Sequence, residues 1–178
     1  MKSKKSDINP MPEYFDRYIN LVGDVELFDA FDESLEQLES LDFKQLEQLG
    51  DKKYAPDKWK VKGIFQHVID FERILAYRAL LFARREGSFP QGIDENLLGT
   101  NMQADRRTID ALVDELKIVR VSTKTMFESF DDEMLQYKGT NWKYEISVLA
   151  VGFAVIGHQI HHLDIIREKY FPLVQTQI

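Results

Sequence analysis

Val61-Lys62-Gly63-Ile64-Phe65-Gln66-His67-Val68-Ile69-Asp70-Phe71-Glu72-Arg73-Ile74-Leu75 opens the stretch whose reading decides the fold. Its apolar residues, Ile64, Val68, Phe71, Ile74 and Leu75, then Leu81 and Phe82, recur every three or four positions. That is the period of an amphipathic helix, and His67 falls within the arc of the stripe. The pattern predicts a helix from Val61 to about Arg85, ended by the turn residues Glu86-Gly87-Ser88-Phe89-Pro90-Gln91-Gly92.

The same period extends in both directions. Upstream, between Met11 and about Leu49, Phe15, Tyr18, Ile19 and Val22 form one helical set. Leu27, Phe31, Leu35, Leu38 and Leu41 form another, with Gly23-Asp24 as a break and a loop over Gly50 to Asp57. Downstream, a third helix is expected from about Met102 to Phe130, carrying Ile109, Leu112, Val113, Leu116, Val119 and Met126. Lys138-Gly139-Thr140-Asn141 reads as a loop, and a fourth helix runs from about Ile146 to Tyr170, where Phe171-Pro172 stops it. Four amphipathic segments with little β-patterning predict an all-α, up-down four-helix bundle. It forms one domain over residues 11–174, preceded by a disordered N-terminus over 1–10. The connection that continues to about Gly99 is long for a bundle, which suits it to covering a pocket.

Composition bounds the function. The 178 residues carry a formal charge of −7, which argues against general nucleic-acid binding. There is no cysteine, so neither a disulfide nor a thiol nucleophile comes from the chain, and any thiol chemistry needs a thiol from the substrate. The basic, polar start lacks the apolar run of a signal peptide, and no transmembrane helix or membrane partner is expected. These features fit a cytoplasmic protein.

Three of the four histidines lie in Gly157-His158-Gln159-Ile160-His161-His162. His158 and His162 are four apart, so on a helix both face one way, continuing the stripe Val151, Val155 and Ile165. Two buried imidazoles without partners would cost roughly 1–3 kcal/mol each, and one shared ion relieves both. His67 alone reads as a core histidine. Together with the pair it completes a three-histidine site with an open coordination position, as in catalytic metal centres. His161 competes with His162 and otherwise belongs to the rim. Gln159, beside the first ligand, cannot act as the general base of a zinc peptidase. The Glu-x-x-His pairs of di-iron bundles are absent, and haem is a poorer fit than a small ion. Imidazole ligands suit zinc, nickel, iron or copper without choosing among them. Asp70 and Asp164 are the nominal partners for the outer ring nitrogens. Either Arg73 or Arg78 could pair with an acidic group of a substrate, but a structural ion pair with Glu72 or a facing helix is the expectation for both.

Tyr54-Ala55-Pro56-Asp57-Lys58-Trp59 leading to His67, then Asp70 to Ala79, and Gly157 to His162 followed by Ile166 to Tyr170, resemble the DinB-like family in order and spacing. The resemblance covers about Tyr14 to Tyr170. It implies a four-helix bundle, often a homodimer, with one divalent metal (zinc, nickel or iron) on His67, His158 and His162. The family includes bacillithiol S-transferases. Some relatives carry Glu where this chain has Gln159. From this resemblance and the histidine pattern, the expected function is thiol S-transfer through a metal-bound thiolate, with a small-molecule thiol and an electrophile as substrates. The alternatives are a metal-dependent hydrolase, or a non-catalytic module in which metal supports binding or dimerisation.

Overall fold

The computed structural model describes residues 3–175. Its helices are α1 (Asp16–Ile19), α2 (Leu27–Glu39), α3 (Phe43–Leu49), α4 (Val61–Ala83), α5 (Glu95–Asn101), α6 (Ile109–Glu128), α7 (Asp132–Gln136), α8 (Val148–Ile165) and α9 (Pro172–Gln175). A β-hairpin, β1 (Lys138–Asn141) and β2 (Tyr144–Ser147), precedes α8. A π-helical turn over Ile166–Tyr170 joins α8 to α9.

Helices α2, α4, α6 and α8 form the bundle, with α4 and α2 each packed against both α6 and α8. Their directions follow from cross-helix partners. Ser34 meets Arg120 while Asp32 meets Lys124, so α2 and α6 are antiparallel. Leu27 lies beside Gly152 and Ser34 beside Gln159, so α2 and α8 are parallel. His67, early in α4, meets His158 and His162, late in α8, which makes those two antiparallel. The order is therefore up, down, down, up. Alternation holds within each half, and the connection over 84–108 carries the chain back so that α4 and α6 run parallel.

Local chemistry sets the ends. The side chains of Thr108 and Ser147 accept from the backbone N–H of Ala111 (3.2 Å) and Ala150 (3.1 Å), capping α6 and α8. The third helix consequently starts at Ile109, later than the apolar pattern suggests, and Ala104–Arg106 forms a separate 3₁₀ turn. Helix α8 is buried on nearly all sides, consistent with a central position. With its continuation it makes a 27-residue segment, Val148–Val174, apolar and long enough to cross a membrane, but 72% of its most apolar window is buried inside the bundle.

Two further expectations are corrected. Lys138–Asn141 is a strand, paired antiparallel with Tyr144–Ser147, because Gly139 lets the Phe82 ring lie directly on the hairpin backbone. The described part of the N-terminus, residues 3–10, is ordered. Ile8 enters the core, Lys4 bridges Glu26, and the Ser3 hydroxyl donates to the Glu26 carboxylate. Residues 1 and 2 lie outside the described residues.

The apolar interior divides into two clusters. One is built around Leu27, Phe31, Leu75, Phe127 and Phe153, the other around Leu38, Phe65, Leu112, Leu116 and Tyr170. Between them the helices contribute Ser34, Glu72, Arg120, Thr123, His158 and Gln159, all buried, as a polar layer across the bundle.

Candidate metal centre

Every member of the polar layer sits where its helix would otherwise bury an aliphatic residue. Arg120 is fully buried and grips Glu72 through Nε (3.0 Å to Oε1) and Nη2 (2.8 Å to Oε2), while Nη1 donates to the Ser34 hydroxyl. Glu72 thus pairs with Arg120, and Arg73 pairs with Glu115 of the facing helix at 2.7 Å. Arg78, also expected in an ion pair, instead donates to the Asn141 side-chain oxygen and to the Gln91 carbonyl (3.0 Å).

Beside this pair the three histidines meet. The Nε2 atom of His158 lies 3.1 Å from Nε2 of His67 and 3.1 Å from Nε2 of His162, and the ligand atoms of all three lie within 4.8 Å of one another. An sp² ring nitrogen has one in-plane lone pair, so one proton at His158 Nε2 cannot satisfy both contacts. A cation can. Tetrahedral zinc with bonds of about 2.0–2.1 Å holds its ligand nitrogens about 3.3–3.4 Å apart, close to the observed spacing. The donor set therefore fits a divalent ion, leaving one coordination position free of protein.

Aromatic walls fix the rings. Trp59 lies over His67 (centroids 4.9 Å apart), Phe71 against His158 (4.4 Å), and Tyr18 edge-on to both His158 (5.1 Å) and His161 (5.4 Å). Tyr18 comes this close because Gly157 has no Cβ; an added one would collide with the Tyr18 carbonyl. His161 points outside the cluster and forms its half-buried rim. Gln159 donates from Nε2 to the Ser34 carbonyl of α2 at 2.9 Å, and its Oε1 is buried with no partner among the described residues. Asp70 accepts from Gln66 Nε2 at 2.9 Å and lines a small cavity beside His67 without bonding the imidazole. Asp164 pairs with Arg167 at the surface, and the outer nitrogen of His162 is buried with no partner among the described residues. The orienting carboxylates often found behind metal-binding histidines are thus replaced here by ring packing.

Burial holds all three imidazoles neutral, as metal binding requires. It lowers His67 to about 4 and His162 to about 3, with repulsion from neighbouring histidines adding to the effect, and it lowers His158 as well. The sign for the metal-free protein follows. Below the unfolded value near 6.5 the unfolded chain takes up protons that the folded chain refuses, so stability is lost as pH falls from there toward about 4. Each such histidine contributes a slope of up to about 1.4 kcal/mol per pH unit in that window and none above it. Urea midpoints of chelator-treated protein at several pH values between neutral and acidic test this. A flat profile between about pH 6.5 and 5 would contradict it.

Two adjoining cavities form a cleft beside His67. Its inner cavity is lined by His67, Asp70, Phe71, Ile93 and Glu95, and a larger one of about 280 Å³ shares Phe71, Ile93 and Glu95 and adds Tyr14, Arg78, Asn141 and Trp142. The connection over 84–108 supplies one wall, consistent with the covering role its length suggests. Asn141 and Trp142 are residues of the hairpin, which sequence patterning does not reveal. A polar Arg78 eleven residues after His67, on the same helical face, was the one signal that could have pointed to the outer cavity.

The DinB superfamily matches this chain over residues 29–166. Among solved structures, YfiT from Bacillus subtilis, described as a probable metal-dependent hydrolase with an unusual four-helix bundle topology, is similar in fold. The alignment has a TM-score of 0.66 at 17% identity and covers 90% of this chain and 88% of that one. No curated protein matches the sequence.

Proposed function

Since the chain belongs to the DinB superfamily, we propose that it is a metal-dependent enzyme acting on a small electrophile in the cleft, with thiol S-transfer as its reaction. The observation that carries this reading is the convergence of three neutral imidazole nitrogens, one of which, His67, lines a small cavity beside a largely apolar cleft. His67, His158 and His162 would hold one divalent ion, zinc, nickel or iron. When bound, such an ion lowers the pKa of a coordinated thiol or water.

The chain's own residues do the rest. Trp59 packs on His67, and Phe71 and Tyr18 pack on His158, which holds two of the three imidazoles in place. Phe71 and Ile93 line the approach, excluding water from an electrophile held there. The nucleophile must come from outside, because the sequence contains no cysteine.

Hydrolysis is the second reading, favoured by Asp70. Burial raises its carboxyl above the ordinary range, and it lines the cavity beside His67, where it could accept a proton from water. Metal-loaded protein incubated with low-molecular-weight thiols and a panel of electrophiles and esters separates the two. Thiol consumption supports transfer. Ester cleavage without thiol, slowed by Asp70→Asn, supports hydrolysis. Neither, under conditions where an active transferase and an active esterase both turn over, would leave a non-catalytic metal module. The proposal includes a cytoplasmic location, a homodimer, and no nucleic-acid or membrane partner. Light scattering on the eluting protein tests the dimer.

A further inference from the structure

The outer cavity contains a buried cation without an ion-pair partner among the described residues. Arg78 is 5% exposed, and among the described residues no carboxylate lies within ion-pair distance of it. Its two recorded bonds go to neutral oxygens, the side chain of Asn141 and the backbone of Gln91. A guanidinium has five N–H donors, so three remain. Asn141 is 1% exposed, and its Nδ2 has no partner. Because its oxygen faces Arg78, that amide must turn its N–H groups elsewhere. Arg78 thus lines the cavity with spare donors and a positive charge, and Asn141 fixes one edge of its guanidinium.

Leaving a buried charge without a counter-charge is costly, and an anionic ligand in the cavity would offset that cost. Glu95 lines the same cavity and opposes the lowering of the Arg78 pKa by burial, but it stands beyond ion-pair distance. We infer that the outer cavity is a subsite for the carboxylate of an elongated, partly aromatic small molecule, gripped by Arg78, whose guanidinium Asn141 holds in place. Tyr14, Phe71 and Trp142 supply apolar walls around it. Trp142 reaches this place through a left-handed backbone (φ 59°) at the hairpin turn, a conformation unusual for a bulky residue.

Arg78 follows His67 by eleven residues, three turns of α4, on the same face and about 16 Å along the axis. A molecule anchored at Arg78 therefore extends past Phe71 toward the histidines. This deepens the proposed function and rests on it only for what happens at the far end, since the subsite itself needs no metal.

The test is binding of phenylbutyrate against its neutral amide, phenylbutyramide, followed by calorimetry and by intrinsic tryptophan fluorescence, in metal-loaded protein and in the His162→Ala variant. The acid is expected to bind at least about tenfold more tightly than the amide in both, as a charge-assisted bidentate contact requires. Arg78→Gln should erase that preference, Arg78→Lys should retain part of it, and Asn141→Asp should erase it by giving Arg78 an internal carboxylate. Circular dichroism confirms that each variant is folded, and the lysine and aspartate variants decide the matter should glutamine fail to fold. Equal affinity for acid and amide, no binding of either at millimolar concentration, or an acid preference that survives both Arg78→Gln and Asn141→Asp would overturn the inference. Because His162→Ala is included, failure of the metal reading would leave the acid preference intact and be recognised separately.

Discussion

Protein carrying His158→Ala is expected to lose its metal, as are His67→Ala and His162→Ala, while His161→Ala keeps it. Elemental analysis after purification without added metal should give about one ion per chain for the parent and for His161→Ala. Removing a ligand costs more than the roughly 10–100-fold in affinity that follows loss of an outer partner, so the three variants should read near zero. His158 should show the largest effect, because its Nε2 is the atom that both others approach and its burial is nearly complete. Metal retained by any of the three would remove the basis for a catalytic ion at this point. Metal lost equally from His161→Ala would mean a fourth protein ligand and a closed, structural site.

Breaking the Glu72–Arg120 pair should cost about 3–5 kcal/mol, enough to consume much of a domain's stability. Glu72→Ala leaves a guanidinium with no exposure to solvent and no counter-charge, in the same layer as the histidines. It also leaves that positive charge unopposed near His158, where a cation is proposed to sit, so metal affinity should fall with stability. Replacing both partners, Glu72→Leu with Arg120→Met, should restore most of the stability because no charge is then stranded. Urea unfolding of parent, single and double variants decides this. A double variant as unstable as the single one would show that packing around Ser34, rather than charge, sets the cost.

What could be read in advance depended on periodicity. The stripe of α4 placed His67 among aliphatics, and the four-residue spacing of His158 and His162 put both on the buried face of α8, so the meeting of three rings needed only that α4 and α8 be neighbours. Features made by contacts distant in sequence were not legible. Lys138–Asn141 has a loop-like composition and becomes a strand through pairing and through Phe82 packed on Gly139. Ile8 is a single apolar residue in a polar stretch, and only the bundle gives it somewhere to go. Arg73 and Arg78 look alike in the sequence, yet one finds Glu115 and the other faces a hairpin sixty-three residues away. The cap at Thr108 was visible in principle, since Thr-Ile-Asp-Ala is a helix start, but the apolar residue Met102 suggested an earlier one.

The parallel course of α4 and α6 has a consequence for how such a protein can change. Two parallel helices need a chain that travels the full length of the bundle between them, and here that traveller contributes Ile93 and Glu95 to the cleft and rests Gly99 on the Trp59 indole. The bundle's own stability is vested in the four long helices, so the traveller is free to vary in length and sequence at modest entropic cost. Part of the selectivity is thus written apart from the scaffold. Recombining residues 84–108 would reshape the Ile93 and Glu95 wall of the cleft, with the histidines, the buried ion pair and the Arg78 anchor inherited unchanged.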